Sequence, residues 1–274
     1  MIETDVPLGG GRILHVYDTG PDDGHPVLWH HGTPNVGAPP APLFPAGERL
    51  GLRWVAYDRP GYGPSTPQPG RTVASAAGWA TAVADALDLE RFALAAHSGG
   101  SPHALATAAL LPDRVTAVLA ASGLAPYDAD GLDWHAGMAP AQEASVRASA
   151  AGRAAKEAYE RDSTVDDPGF TPADHAALAG VWSWFLTVVQ PALAAGIGPL
   201  VDDELAYVAP WGADPAVITA PVVLLHGEDD RIVPASHSRW LAGRIPGASL
   251  RVVPGAGHIS VLESAEDELA ILVP

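Results

Sequence analysis

The chain has 274 residues, 47% hydrophobic and 17% charged, which is enough apolar material for one large core or two small ones and excludes a disordered chain. A formal net charge of −17 disfavours phosphate backbones and anionic lipid, so neither nucleic acid nor a membrane is expected as a partner. Without cysteine there are no disulfides, thiolate nucleophiles or thiolate metal sites.

Taken in chain order, residues 12–17 predict a strand. The turn signal Gly9, Gly10, Gly11 before it allows an earlier strand to pair with it as a hairpin. Before that turn, the first five residues show no basic stretch leading into an apolar one, and later apolar runs are broken by Pro, Gly or charge before membrane-spanning length. A cytoplasmic chain is therefore expected. Residues 26–31 and 52–57 are buried-strand candidates, each ending in a loop rich in Gly and Pro. Residues 72–87 are Ala-rich and predict a helix. A strand over 92–96, a helix over 98–111 and a strand over 115–121 follow. Towards the C-terminus, strands over 221–226 and 249–253 alternate with helices over 235–244 and 260–272.

Nearly all-apolar strands separated by helices imply a mostly parallel sheet with helices on both faces, an α/β fold. The alternation stops between about residues 124 and 211, where helical patterns follow one another without a strand. The two long candidates there are 135–161 and 172–195. The expected organisation is an α/β core over 1–123 and 212–274, with a helical cap inserted over 124–211. In the second candidate, Trp182, Phe185 and Val189 fall on one helical face, and Trp184 and Val188 on another. Such a helix is buried on more than one side, and one side could line a cavity.

Four strand ends carry chemistry. Ala96-His97-Ser98-Gly99-Gly100 follows a strand and opens a helix. A serine held on so sharp a turn needs small neighbours, and the helix N-terminus turns its free N–H groups towards it. His31-Gly32-Thr33-Pro34 follows the 26–31 strand. Its Thr33 N–H is a candidate donor to a developing oxyanion, with Gly99 N–H as the second; Pro34 has no N–H to give. Glu228, Asp229 and Asp230 follow the strand over 221–226, and any of them could orient an imidazole. His258 sits in the loop Pro254-Gly255-Ala256-Gly257, where small neighbours leave room for a general base.

His30 and His31 are adjacent on a strand and point to opposite faces, so they do not share a metal; His31 is expected to support the oxyanion loop. His97 and His103 flank the elbow as packed or hydrogen-bonded residues. His15, His25, His135, His175, His226 and His237 show no spacing that argues for a site. No metal constellation, phosphate loop or dinucleotide fingerprint is present, so no cofactor is expected.

Taken together, these motifs resemble the α/β-hydrolase family, and the resemblance covers nearly the whole chain. The order Ser98, Asp230, His258 is the family's order. The stretch Asp58-Arg59-Pro60-Gly61-Tyr62-Gly63-Pro64-Ser65 looks like the family's loop after its fourth strand. The family's Gly-x-x-Asp-x-x-Val-Pro pattern selects Asp230 over Asp229. The elbow departs from the family in having Ala96 where its first glycine stands. The resemblance implies Ser98 as nucleophile, His258 as base, Asp230 as its orienting acid, and Thr33 and Gly99 as oxyanion donors. Serine at position 98 argues against the relatives that use an aspartate nucleophile.

The expected reaction is cleavage of an ester or amide bond of a small apolar substrate through an acyl-enzyme. Trp134, Trp182, Trp184 and Phe185 are the expected pocket walls, with Trp211 a further cap aromatic. Three alternatives accompany this reading. His-Gly-Thr-Pro partly resembles the proline iminopeptidases, whose substrate amine would need acids such as Glu143, Glu157, Asp202, Asp203 or Glu204. Carbon–carbon hydrolases and perhydrolases share the triad. A non-catalytic, ligand-binding relative would keep the pocket alone.

Overall fold

A computed structural model describes residues 1–164, 167–194 and 196–274. Two residues of the expected cap, 165 and 166, lie outside this range, as does Ala195 at the end of the predicted helix 172–195.

Eight strands form one sheet: β1 (Ile2–Gly9), β2 (Arg12–Thr19), β3 (His25–His30), β4 (Leu52–Tyr57), β5 (Phe92–His97), β6 (Val115–Ala121), β7 (Val222–Gly227) and β8 (Ser249–Val253). Their spatial order is β1-β2-β4-β3-β5-β6-β7-β8. β1 and β2 form the antiparallel hairpin, and β2 meets β4 antiparallel; every pair from β4 to β8 is parallel. Every residue of β5 and β7 is buried, as expected of strands covered on both faces.

The two faces bury separate cores, and the side-chain period of two assigns neighbouring residues to opposite ones. Leu28, Leu94, Val118 and Leu224 pack with Trp79, Ala80 and Val83 of α2 (Ser75–Ala86), with α3 (Gly100–Leu110), and with Leu241 of a later helix over 236–244. Val27, Trp29, Ala93, Leu119 and Val223 pack with Ala46 of α1 (Phe44–Arg49) and with Leu262, Leu269 and Leu272. Those last three belong to the final helix, Ser260–Leu272, whose winding is 3-10 rather than α. α1 was not predicted; its six residues are too few to show a helical period.

Between β6 and β7 the chain is helical: α4 (Pro140–Ala150), α5 (Arg153–Asp162), α6 (Pro172–Ala179), α7 (Phe185–Ala194) and α8 (Gly198–Val208). The single helix expected over 135–161 is two. Pro140 can occupy only the first turn, so α4 starts there, and Gly152 breaks the run at φ +102°. The stretch expected to be one helix over 172–195 breaks at Gly180 and continues as a 3-10 turn over Val181–Trp184 before α7. α9 (Ser236–Arg244) follows β7.

Several contacts fasten the helical segment to the sheet layer. Val188 of α7 accepts the Val36 N–H at 2.9 Å, Asp174 of α6 accepts the Ile259 N–H at 2.8 Å, and Asp203 of α8 meets Arg59 at 2.7 Å. No single helix among the described residues is long and apolar enough to cross a membrane.

Candidate active site

In a doubly wound sheet, ligands gather beyond the carboxyl ends of the strands, where the strand order reverses. Here β3 sits between β4 and β5, and the loops after β3 and β5 carry Thr33 and Ser98. Asp230 and His258 extend from the same edge, after β7 and β8.

Ser98 has φ +53°, a left-handed conformation that costs a non-glycine residue about 1–3 kcal/mol. Its surroundings leave the two following positions to glycine. A Cβ on Gly100 would overlap the His30 carbonyl, and one on Gly99 the Tyr207 hydroxyl. Ala96 is 2% exposed within β5, so a methyl group is accommodated where the family has glycine. The turn delivers Ser98 Oγ to within 2.8 Å of His258 Nε2.

His258 Nδ1 donates to Asp230 Oδ2 at 2.7 Å, which leaves the Nε2 lone pair facing the Ser98 hydroxyl. The other carboxylate oxygen, Oδ1, accepts the Ile232 and Val233 N–H groups, both at 2.9 Å. Burial alone would raise the Asp230 pKa. The charge of His258 and hydrogen bonds from His226 and His258 outweigh it, and the carboxyl is held well below the usual range. Glu228 and Asp229 are exposed. Position in the turn, not the number of acids, thus distinguishes Asp230.

The β3 loop lies over the serine: a Cβ on Gly32 would sit 3.5 Å from Ser98 Cβ. His31 braces this loop, its Nδ1 donating to Gly32 C=O at 2.8 Å and its Nε2 accepting the Arg59 N–H at 3.0 Å. Among the described residues, no acceptor takes up the backbone N–H of Thr33 or Gly99. Both donors remain available to an oxygen above Ser98.

A cavity of about 540 Å³ opens over Ser98, His258, Thr33 and Gly99. Trp134 and Phe185 line it, together with Leu124, Val146, Phe170, Leu178, Leu186 and Val189. The other two aromatics expected in the pocket do not. Trp182 is buried in the core beneath Phe185, ring centroids 5.8 Å apart, and Trp184 packs edge-on against Trp182 and Phe185. Residues 181–184 wind as a 3-10 turn and not as the α-helix on which those faces were counted. Trp211 walls a separate surface hollow that includes none of the four strand-end residues.

The acids of the helical segment are mostly engaged. Glu143 and Glu157 pair with Arg147 and Arg153 on outer helix faces, Asp202 with Arg71 and Arg153, and Asp203 with Arg59 and Arg71. Glu204 does line the cavity, and it is ion-paired at 2.6 Å to the fully buried Lys156.

Several residues brace the site without having been given a role in it by the sequence: His226, His237 and Tyr207 carried no signal, and His97 was expected only as a packed or hydrogen-bonded neighbour. His226 Nε2 donates to Val233 C=O at 2.7 Å and lies 3.3 Å from Asp230 Oδ2, bracing the acid turn. His237 donates to Trp134 C=O at 2.9 Å and so holds that aromatic wall. His97 donates through Nε2 to His258 C=O at 2.9 Å; burial pushes its pKa down to about 3, so it is a neutral brace. Tyr207, from α8, reaches both Thr33 Oγ1 (2.7 Å) and Gly99 C=O (3.0 Å).

Residues 25–265 match the family described as alpha/beta hydrolase fold. The chain is 27% identical over 268 residues to the 2-hydroxymuconate semialdehyde hydrolase of Pseudomonas putida, an alignment covering 94% of this chain and 89% of that one. Its structure is similar to that of a bromoperoxidase from Bacillus anthracis (TM-score 0.74, 19% identity, 99% of each chain). It is also similar to an enol-lactonase from Burkholderia xenovorans (TM-score 0.73, 19% identity, 97% of this chain and 96% of that one). At these identities the two structures speak to the fold.

Proposed function

The chain belongs to the α/β-hydrolase family, and from that membership we propose that it is a serine hydrolase acting on an ester or amide bond of a small apolar substrate through an acyl-enzyme. The observation that carries this reading is the unbroken line Ser98 Oγ, His258 Nε2, His258 Nδ1, Asp230 Oδ2, with links of 2.8 and 2.7 Å.

The Ser98 oxygen attacks the carbonyl carbon while His258 Nε2 takes its proton. Asp230 stabilises the imidazolium so formed and remains ionised. The carbonyl oxygen, now carrying the charge, accepts from the N–H groups of Thr33 and Gly99. His258 returns the proton to the leaving oxygen or nitrogen, and a water deprotonated by the same imidazole releases the acid. The residues supply every proton transfer, so the scheme needs no cofactor. The absence of cysteine is in keeping with a cytoplasmic setting.

The apolar walls around Trp134 and Phe185 support an apolar acyl or alcohol group. The engagement of Asp202, Asp203, Glu143 and Glu157 by arginines, and of Glu204 by Lys156, speaks against an amine-binding peptidase. Carbon–carbon bond hydrolysis is a second reading, favoured by the full-length similarity to the Pseudomonas putida enzyme.

A fluorophosphonate probe should add its mass to the peptide containing Ser98 and fail to label Ser98→Ala. Labelling that survives the substitution would reject the nucleophile. A panel of aryl esters of increasing acyl length should show kcat/KM rising with apolar surface. Preference for amino-acyl substrates would reject the pocket reading. No turnover of esters, amides or 2-hydroxymuconate semialdehyde would leave a binding protein.

A further inference from the structure

Outside the line from Ser98 to Asp230, a dense buried polar cluster joins helix α8 to the β3 loop. Asp203 of α8 is fully buried, as are its two arginine partners. Its Oδ1 accepts from Arg71 Nε (3.0 Å) and Nη2 (2.7 Å); its Oδ2 accepts from Arg59 Nε (3.1 Å) and Nη2 (2.7 Å), Thr33 Oγ1 (2.8 Å) and Tyr62 OH (3.0 Å). An isolated carboxylate would not stay ionised at such a depth. The two guanidinium groups outweigh burial and hold its pKa well below the usual range.

Arg59 has a second set of partners. Its Nη1 donates to His31 C=O, and its Nη2 donates to Gly32 C=O at 3.0 Å and to Thr33 Oγ1 at 2.8 Å. The Gly32–Thr33 peptide is trans. In a planar trans peptide the C=O and the N–H point in opposite directions. Anchoring Gly32 C=O on Arg59 therefore turns the Thr33 N–H the other way, and Gly32 itself lies over Ser98. A cation on the carbonyl also polarises the same peptide unit, which strengthens its N–H as a donor.

We propose that Asp203 is a positioning residue for the oxyanion hole: by holding Arg59 against Gly32 C=O, this cap carboxylate aims the Thr33 N–H at the space above Ser98. The proposal rests on the serine-hydrolase reading. It makes helix α8 a working part of the site as well as a wall of the cavity. Tyr207, one turn further along α8, reaches the same threonine and the Gly99 carbonyl, so one helix braces both expected donors.

The test compares wild type with Asp203→Asn, Arg59→Lys and Thr33→Val. The last removes a single hydroxyl and keeps the backbone N–H, so it provides a folded variant if the buried-charge variants misfold. Active sites are titrated with a fluorophosphonate, and kcat and KM for an aryl ester are expressed per titrated site. Affinity for an arylboronic acid, which forms a tetrahedral adduct on serine, is measured alongside. For Asp203→Asn and Arg59→Lys we expect kcat to fall at least tenfold and boronate affinity to fall in parallel, with KM within threefold. Thr33→Val should show a smaller loss of the same kind, of a few-fold. A merely structural role would lower the titre and the melting temperature while leaving kcat per site and boronate affinity within twofold of wild type, and that result overturns the proposal. The orientation of the Gly32–Thr33 peptide in a crystal structure of Asp203→Asn is read without activity. A turned peptide supports the clamp and an unchanged one rejects it. Failure of wild-type Ser98 to react with the probe would count against the serine-hydrolase reading and leave that structural readout standing.

Discussion

Asp174, in the first turn of helix α6, accepts the backbone N–H of Ile259, the residue after His258, at 2.8 Å. The same oxygen takes the Ser260 N–H at 2.8 Å and Ser260 Oγ at 3.0 Å, while the other oxygen closes a capping box with Thr171. One carboxylate thus caps the start of α6 and fixes the loop that carries the proposed base. Asp174→Ala leaves two buried N–H groups unpaired and should cost about 2–4 kcal/mol of stability. Urea unfolding reads the stability. kcat per titrated site should fall as well, because the His258 loop loses its tether; unchanged kcat would show that Asp230 alone positions the imidazole.

Asp230→Asn preserves the size of the side chain and removes its charge. The amide can present an N–H to His258 Nδ1 and so favour the tautomer whose Nε2 carries the proton, which cannot accept from Ser98. On the scale of comparable triads, kcat should fall about 10³–10⁴-fold with little change in fold. Steady-state kinetics at neutral pH test this. A loss below tenfold would mean that His226 or a neighbouring acid substitutes for Asp230.

The backbone at Ser98 predicts an ordering between two inactive variants. Both Ser98→Gly and Ser98→Ala lose the hydrogen bond to His258. At φ +53° only glycine is free of the left-handed penalty. Ser98→Gly should therefore be more stable than Ser98→Ala by about 1 kcal/mol in thermal or urea unfolding, despite the greater freedom of glycine in the unfolded chain. The reverse order would show that the elbow relaxes once the serine is gone.

Two buried histidines, His97 and His103, are each held neutral by burial with pKa values of about 3. Their folded values lie below the unfolded value near 6.5, so the unfolded chain binds more protons between the two. The stability they contribute is complete above about pH 6.5 and is lost as pH falls towards 3, on a scale of about 1.4 kcal/mol per pKa unit. Asp58, raised by burial to about 6, acts in the opposite sense between its unfolded value and pH 6, and offsets part of this. The melting temperature should fall from pH 6.5 to pH 5. Below about pH 4 the loss should steepen as Asp203 and Asp230, both depressed, are protonated. A flat profile from pH 7 to 5 would contradict the neutral burial of the histidines.

The chemistry-bearing loops were legible because each obeys a local rule. A serine on a strand-to-helix turn needs Gly99 and Gly100 beside it, and a donor loop over it cannot place its N–H at Pro34. The strands were legible for a similar reason: β4, β6 and β8 are short runs rich in apolar residues between turn signals, and their bounds match the prediction. The cap was not legible in the same way. Pro140, Gly152 and Gly180 interrupt patterns that count as continuous when only apolar period is read, and Trp182 and Trp184, just after Gly180, pack away from the cavity. The partners of Asp203 are Arg59 and Arg71, more than 130 positions away in the chain. The partners of Asp174 lie 85 and 86 positions away. By itself, then, the sequence determined the fold, its family and the order of Ser98, Asp230 and His258, since these follow from short-range backbone geometry and strand patterning. Only the tertiary structure decided which residues of the helical segment line the cavity over Ser98 and which of its acids hold the β3 loop, because those choices depend on how helices broken at Pro and Gly pack over the strand ends.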